Sequence, residues 1–226
     1  MFCEEWALVK HSSPGITILP LRCKCWSCDL CRPIRHARLV REAQAGKPDL
    51  FVTLTSVYKP GRCPHMAARA MVRAWRVIRR EYITEHGKGS LPFLCVFEAT
   101  KNGWPHIHIV ARCKWLEKKW LRKRMEELIG AKVVDVRRVR RTKDVARYVA
   151  KYIGKDTERF EGVKRYWRSL DYLLPPPATD QDEVDPCEYW TVSRFNWLTE
   201  IAYYQSIGYS LEMLRGEAAL TRGEPP

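Results

Sequence analysis

Two strand-like runs flank a short polar turn in LPFLCVFEATKNGWPHIHIVAR, residues 91–112. Leu91–Thr100 and His106–Arg112 are rich in apolar, aromatic and β-branched residues, which favour strands. Lys101–Pro105 contains the Asn-Gly pair that is typical of tight hairpin connections. The pattern therefore predicts a β-hairpin over these residues.

The hairpin brings together three side chains that can bind a metal. Alternate residues of a strand share a face, so His106 and His108 point to one side and Ile107 to the other. The turn places Glu98, near the end of the first run, beside the two histidines. Two imidazoles and one carboxylate make a three-ligand site with open positions, which suits a hard or borderline divalent cation. The alternative is that the His-x-His pair is only a surface or hydrogen-bonded feature.

The flanking sequence predicts further elements on both sides of this hairpin. Leu50–Ser56 has the pattern of a strand, and residues 65–85 place apolar side chains at helical spacing. Residues 115–129 are predicted to be helical, 132–139 a strand and 143–154 a final helix. The order β-α-β-β-α-β-α predicts an α+β fold with a ferredoxin-like or split βαβ antiparallel sheet and helices on one face.

Composition divides the chain into three segments. Residues 1–47 are predicted to form an irregular Cys-rich module that ends in a basic helix over Ile34–Ala45. Residues 48–172 hold the predicted α+β domain. Residues 173–226 begin with a Pro-rich, acidic linker and continue into a segment predicted to be helical over 191–217.

The final predicted helix carries a pair of candidate nucleophiles. Tyr148 and Tyr152 are four residues apart and share a helix face, and Lys151 and Lys155 repeat the same step. A phenol has a pKa near 10, so it needs a metal or neighbouring cations to act as a nucleophile at neutral pH. The alternative interpretation is a core stripe of tyrosines with solvated lysines.

The positive charge of the chain is concentrated in one region. The formal net charge is +14, and residues 112–155 hold 16 Lys and Arg against 5 Asp and Glu. Aromatic residues interleave with the basic ones, as expected of a surface that binds single-stranded nucleic acid. The candidate DNA-binding residues are Arg137, Arg138, Arg140, Arg141, Lys143 and Arg147. No apolar run is long enough to cross a membrane, so no membrane partner is expected.

The cysteines predict a reducing, cytoplasmic environment and a second metal. The chain has nine cysteines and no secretory signal pattern at its start, which argues against a disulfide scaffold. The knuckle-like spacing predicts Zn²⁺ bound by Cys23, Cys25, Cys28 and Cys31. An iron–sulfur cluster and a group of free thiols are the alternatives, and the fourth ligand is left open among Cys23, Cys3, His11 and His36.

These elements together resemble the HUH endonuclease superfamily, in particular two-tyrosine rolling-circle replication initiators. Phe51–Thr55 (FVTLT) looks like the first motif of that family, and Pro105–Ile109 (PHIHI) matches the HUH motif. Tyr148–Lys155 (YVAKYIGK) looks like its tyrosine motif. The cysteine spacing followed by a basic helix is similar to the start of replication proteins of gokushovirus-like microviruses. No helicase motif follows.

The resemblance implies a function and a set of roles. Such enzymes nick single-stranded DNA at an origin with a metal-assisted tyrosine, which leaves a 5′-phosphotyrosine and a free 3′-hydroxyl. Glu98, His106 and His108 would bind the Mn²⁺ or Mg²⁺, and Tyr148 or Tyr152 would attack with Lys151 and Lys155 nearby. The expected partners are origin DNA, bound covalently during the reaction, and a host helicase and polymerase. For a viral protein the compartment would be the bacterial cytoplasm, whereas the oligomeric state is not predicted.

Two other functions stay open at the level of sequence. A single-strand transposase or a plasmid relaxase would use the same metal and tyrosine chemistry. A non-catalytic single-stranded nucleic-acid binder of the RRM kind would share the sheet topology, but it would carry aromatic residues on its central strands. The presence of Glu98, His106 and His108 on those strands argues against the binder.

Overall fold

The chain forms two compact units. The computed structural model describes residues 3–13, 15–87, 89–141, 144, 145, 148, 151, 160–174, 187–214 and 217–222. The terminal unit combines Met1–Arg35 with Pro176–Pro226, and the central unit is His36–Pro175. Each unit contains a five-stranded antiparallel sheet, so the mixed α+β class predicted from the sequence is confirmed.

The helices and strands are numbered here in chain order over the described residues. They are β1 (Ala7–Ser12), β2 (Gly15–Pro20), α1 (Cys31–Ala45), β3 (Leu50–Thr55), α2 (Pro64–Glu85), β4 (Phe93–Ala99), β5 (Pro105–Ala111), α3 (Lys118–Ile129), β6 (Val134–Arg138), β7 (Tyr166–Arg168), β8 (Tyr189–Ser193), α4 (Trp197–Ser206), β9 (Tyr209–Leu214) and β10 (Glu217–Arg222).

The sheet of the central unit has the order β6-β3-β5-β4-β7. Its first four strands in the chain, joined through α2 and α3, have the β-α-β-β-α-β arrangement predicted from the sequence, and β7 adds an edge strand. Both helices pack on one face of this sheet and form the core with alternate strand residues. That core includes Val52, Phe97, Ile107, Trp75, Ile78, Leu121 and Met125. The strand residues between these positions face the other side.

Local sequence explains the limits of α2 and α3. Pro64 lies in the first turn of α2, where its missing N–H removes no helical hydrogen bond. Buried side chains then follow at helical spacing on one face, from Ala68 to Tyr82. Gly130 ends α3 in the left-handed conformation, with φ 75°, which glycine adopts without steric cost. No helix among the described residues combines the length and the apolar character needed to cross a membrane.

The predicted helix over residues 143–154 is described at four positions. Asp144, Val145, Tyr148 and Lys151 all have helical geometry. The rest of that segment, including Tyr152 and Lys155, lies outside the described residues.

The terminal unit differs from what the sequence predicts. Its sheet has the order β8-β1-β2-β10-β9, so both ends of the chain contribute to it. The first 47 residues contain a β-hairpin rather than only irregular structure. The segment predicted to be helical over 191–217 contains one helix among the described residues, α4, and the strands β8, β9 and β10 flank it. The strands were missed because they are short and two of the four pairings, β1 with β8 and β2 with β10, join residues far apart in sequence.

Candidate active and metal sites

The β4–β5 hairpin brings Glu98 opposite His106. The two residues are direct partners across the strands. Thr100 and Trp104 close the connecting loop, because the backbone N–H of Thr100 donates to the carbonyl of Trp104 at 2.8 Å. Gly103 adopts a φ of 76°, which suits the glycine that the turn sequence supplies. The cross-strand pairing inferred from the turn is confirmed.

Two threonines of β3 orient the two histidines. Thr53 pairs with His108 across the sheet and Thr55 with His106. Thr55 Oγ1 lies 3.0 Å from His106 Nδ1, and Thr53 Oγ1 lies 3.4 Å from His108 Nδ1. Both imidazoles therefore present Nδ1 to a hydroxyl of the neighbouring strand. These hydroxyl contacts were not predicted, because the register between β3 and β5 is not visible in the sequence.

Tyr148 reaches the same face of the sheet. Its Oη lies 2.8 Å from Thr53 Oγ1 and 2.9 Å from His108 Nδ1, which are hydrogen-bonding distances. Its ring packs on Phe51, with the ring centroids 4.3 Å apart. The candidate nucleophile is thus held by both aromatic and polar contacts.

Glu98 fixes the other side of His108. Its Oε2 lies 2.8 Å from His108 Nε2, and His108 is only 5% exposed. A carboxylate can only accept, so Nε2–H donates to it, and the neutral ring then carries its lone pair on Nδ1. That nitrogen then accepts a hydrogen bond from the Tyr148 hydroxyl. Glu98, His108 and Tyr148 therefore form a continuous hydrogen-bonded series.

A cavity of about 290 Å³ opens on these side chains. It is lined by Phe51, Thr53, Glu98, His106, His108, Asp135, Arg137 and Tyr148. Asp135 Oδ2 pairs with Arg137 Nε at 2.6 Å and lies in a strand position opposite Thr53. Asp135 was not predicted from the sequence. The signal that could have identified it is a single carboxylate on β6, the strand that pairs with β3.

The remaining predicted site residues line the cavity, are exposed away from it, or lie outside the described residues. Arg137 lines the cavity, whereas Arg138, Arg140 and Arg141 are exposed on β6 and the loop after it. Lys151 is exposed and is not among the described residues that line the cavity. Tyr152, Lys155, Lys143 and Arg147 lie outside the described residues.

The chemistry of the cavity fits a divalent cation. Glu98 Oε2 and His108 Nε2 are 2.8 Å apart. That spacing is close to the roughly 3 Å between neighbouring ligands of an octahedral ion with bonds of about 2.1 Å. His106 lies next to them, with its ring centroid 4.6 Å from that of His108. The three ligand atoms do not all lie within 4.8 Å of one another, since among the described residues only a cysteine group meets that limit. The three side chains would therefore have to draw together to share one ion.

That cysteine group lies in the terminal unit and differs by one member from the predicted set. Its sulfur atoms all lie within 4.8 Å of one another and belong to Cys3, Cys23, Cys28 and Cys31. Cys25 is exposed, and its Sγ lies 3.5 Å from the carbonyl oxygen of Cys23. Cys3 therefore takes the place that the spacing had given to Cys25. The chain start, the end of the β1–β2 hairpin and the first turn of α1 meet at this group.

Three thiols of the group, those of Cys3, Cys23 and Cys31, differ in pKa. A backbone hydrogen bond from Cys25 lowers the pKa of Cys23 to about 6, and the contact with Cys28 raises the pKa of Cys3 to about 12. Burial raises the pKa of Cys31. The lowered pKa favours the thiolate form of Cys23, and the raised pKa values keep Cys3 and Cys31 protonated. A metal ion that binds such a group displaces the remaining thiol protons.

Comparison with known proteins gives one family. Residues 49–157, just under half of the chain, match a family model for the replication-associated protein ORF2. The matched region contains all the residues that line the cavity. No curated protein and no solved structure matches the chain. The family match supports a replication-associated protein that acts on DNA.

Proposed function

We propose that this protein is a rolling-circle replication initiator that nicks and rejoins single-stranded DNA at an origin. The observation that carries the proposal is the position of Tyr148, whose hydroxyl lies within 3 Å of Thr53 and His108 in the cavity that also holds Glu98 and His106. The match to a replication-associated family over this region supports the same function.

The proposed reaction is a transesterification. Tyr148 Oη attacks a backbone phosphorus, the bond from phosphorus to the 3′-oxygen breaks, and that oxygen takes a proton. The products are a 5′-phosphotyrosine and a free 3′-hydroxyl. The number of ester bonds is conserved, so a 3′-hydroxyl can later attack the phosphotyrosine and rejoin the strand.

The side chains of the cavity have separate tasks in this step. Thr53 and His108 hold Tyr148 Oη in place. With a cation on Nε2, the Nδ1–H of His108 would donate to the Tyr148 oxygen and stabilise its phenolate, while the tyrosine proton leaves to solvent, which returns one to the 3′-oxygen. Glu98 keeps the His108 ring in the required orientation. Arg137 supplies positive charge where the phosphate would lie. A cation held by Glu98, His106 and His108 would polarise the phosphate oxygens.

The exposed arginines at the end of β6 and in the loop after it are proposed to hold the DNA strand that enters the cavity. Arg138, Arg140 and Arg141 follow Arg137 along the chain and are exposed. Phosphate contacts of this kind position a strand without reading its sequence. A host polymerase would extend the free 3′-hydroxyl, and a host helicase would supply the single strand.

We also propose that Cys3, Cys23, Cys28 and Cys31 bind a structural Zn²⁺. Four thiolates at about 2.3 Å from a tetrahedral zinc ion have sulfur atoms about 3.8 Å apart. Cys3 Sγ lies 3.6 Å from that of Cys23 and 3.8 Å from that of Cys31, and Cys23 and Cys31 are 3.7 Å apart. The 2.8 Å between Cys3 and Cys28 is shorter. The group is therefore already close to zinc geometry.

A covalent adduct tests the nuclease proposal. We expect labelled single-stranded oligonucleotides, incubated with the protein and Mn²⁺ or Mg²⁺, to give a denaturant-resistant protein–DNA band. The band should be lost from the Tyr148→Phe plus Tyr152→Phe double variant. Tyr203→Phe is the matched control, because Tyr203 is an exposed tyrosine of the terminal unit. Tight binding without any adduct would contradict the proposal and indicate a non-catalytic DNA-binding protein.

A further inference from the structure

A second, larger cavity lies at one edge of the central unit. It has a volume of about 610 Å³ and runs between α2 and the residues leading into β7, the edge strand farthest from β6. We call it the edge groove. Its lining residues are Arg69, Val72, Arg73, Arg76, Gly162, Val163, Lys164, Trp167 and Arg168. None of them belongs to the cavity around Tyr148.

The edge groove carries five cations and no carboxylate. Arg69 Nε donates to the carbonyl of Glu161 at 3.1 Å, and Arg168 lies 3.5 Å from Glu42. Within the described part of the chain, Arg73, Arg76 and Lys164 form no ion pair, and all three are exposed. Cations gathered in a concave surface repel one another, and a bound anion would offset that repulsion.

The spacing of the cations suits an extended polyanion. Arg69, Arg73 and Arg76 occupy one face of α2 at i, i+4 and i+7, which covers about 10 Å along the helix axis. A nucleic-acid strand places a phosphate about every 3.4 Å along its axis. A single phosphate would engage only part of this row, whereas a strand can engage all of it.

Two more features of the edge groove favour a nucleic-acid strand. Trp167 is half-buried on its wall and offers an aromatic surface for a base or a sugar. Gly162 has a φ of 71°, and a Cβ at that position would lie 2.8 Å from Arg69 Nε. The absence of a side chain there lets the Arg69 guanidinium lie against the loop.

We propose that the edge groove binds the sugar–phosphate backbone of the same DNA strand, away from the scissile phosphate. The inference rests on the proposed function in so far as it takes DNA as the substrate. α2 and Trp167 belong to the helix-covered side of the sheet, while the side chains around Tyr148 belong to the other. A strand engaged at both places therefore passes around the sheet edge, which requires a long substrate.

The salt dependence of binding tests the edge groove. We would titrate labelled single-stranded DNA of about 30 nucleotides, longer than the site of a typical single-strand-binding fold, without divalent metal. The background is the Tyr148→Phe plus Tyr152→Phe double variant, so that cleavage plays no part. The groove variant is Arg73→Gln, Arg76→Gln and Lys164→Gln. Each lost phosphate contact flattens the slope of log K against log salt by about 0.7, so we expect a change of roughly 2.

A second triple variant controls for the loss of charge. Arg41, Arg62 and Arg80 are exposed cations of the same unit, and none lines the edge groove. Replacing all three with Gln should leave the slope unchanged. Equal slopes in the two triple variants would overturn the groove proposal. If either protein unfolds at a lower temperature, Lys164→Gln alone should still flatten the slope by about 0.7, and no change would overturn the proposal. The nicking assay is separate, so the nuclease proposal can fail while the groove result stands.

Discussion

Thr53 connects side chains that are far apart in the sequence. Its hydroxyl lies 2.8 Å from Tyr148 Oη and 3.4 Å from His108 Nδ1, two residues that are separated by 40 positions. A β-branched side chain has few χ1 states, so its oxygen is held in one place by the strand. In the proposed reaction Thr53 is therefore a positioning residue for the tyrosine hydroxyl and does not itself react.

Replacing Thr53 with valine should slow adduct formation without weakening DNA binding. Valine keeps the shape and removes only the hydrogen bonds, which are worth about 0.5–1.5 kcal/mol each. Because 1.36 kcal/mol is a factor of ten in rate, we expect a decrease of roughly tenfold. The rate of adduct formation is measured on gels under single-turnover conditions, with the protein concentration above both the DNA concentration and the Kd. Thr84→Val is the control, since Thr84 lies on α2 and its hydroxyl donates to the Arg80 carbonyl. An equal decrease in both variants would contradict the assigned role.

At the scale of elements, hydrogen bonds and ring packing join the end of α1 to the segment after β7. The Tyr172 hydroxyl donates to the carbonyl of Ala43 at 2.6 Å, and its ring lies directly against Gly46. Arg112, just after β5, donates to the carbonyls of both Gly46 and Tyr172. This contact anchors the chain immediately before β3, which carries the two threonines of the site.

Gly46→Ala should therefore destabilise the central unit. A Cβ at that position would overlap the buried ring of Tyr172, and overpacking of this kind costs about 1–3 kcal/mol. Gly89→Ala is the matched control, because nothing lies within 4 Å of a Cβ placed there. Urea unfolding followed by fluorescence gives both free energies. Equal stability of the two variants would show that the contact has no energetic role.

The elements of the central unit were predictable because their signals are local. The runs that form β3 to β6 are bounded by turn residues, and α2 shows helical spacing of its buried side chains. Gly103 and Asn102 marked the hairpin, so Glu98, His106 and His108 could be grouped from sequence. Thr53 and Asp135 could not be placed in the same way, because their proximity depends on the register of β3 with two other strands.

The terminal unit was less predictable for a related reason. β1 pairs with β8 and β2 with β10, and nearly the whole chain separates the members of each pair. Local patterns carry no information about such partners. Cys3 was weighed as one of several fourth ligands, and only the fold shows that its sulfur belongs to the group and that of Cys25 does not. Spacing alone favoured the residue that is adjacent in sequence.

At the scale of the whole molecule, the cysteine group is a feature of a unit built from both chain ends. We expect the purified protein to contain one zinc ion, and Cys3→Ser to lose it. Cys25→Ser is the matched control and should retain zinc, because Cys25 lies outside the group. Elemental analysis after dialysis gives the stoichiometry. Two results would contradict this ligand set. One is loss of zinc from Cys25→Ser while Cys3→Ser retains it, and the other is a wild-type protein that folds without zinc.

The central claim is that Tyr148 is the nucleophile of a DNA-nicking site. Trypsin cleaves after Arg147, Lys151 and Lys155, so the two tyrosines fall into different peptides, YVAK and YIGK. Nuclease and trypsin digestion of the covalent adduct, followed by mass spectrometry, identifies the residue that carries the 5′-nucleotide. After the first cleavage we expect the nucleotide on Tyr148 in YVAK. A nucleotide on any residue other than Tyr148, or no nucleotide-linked peptide from an active preparation, would contradict it.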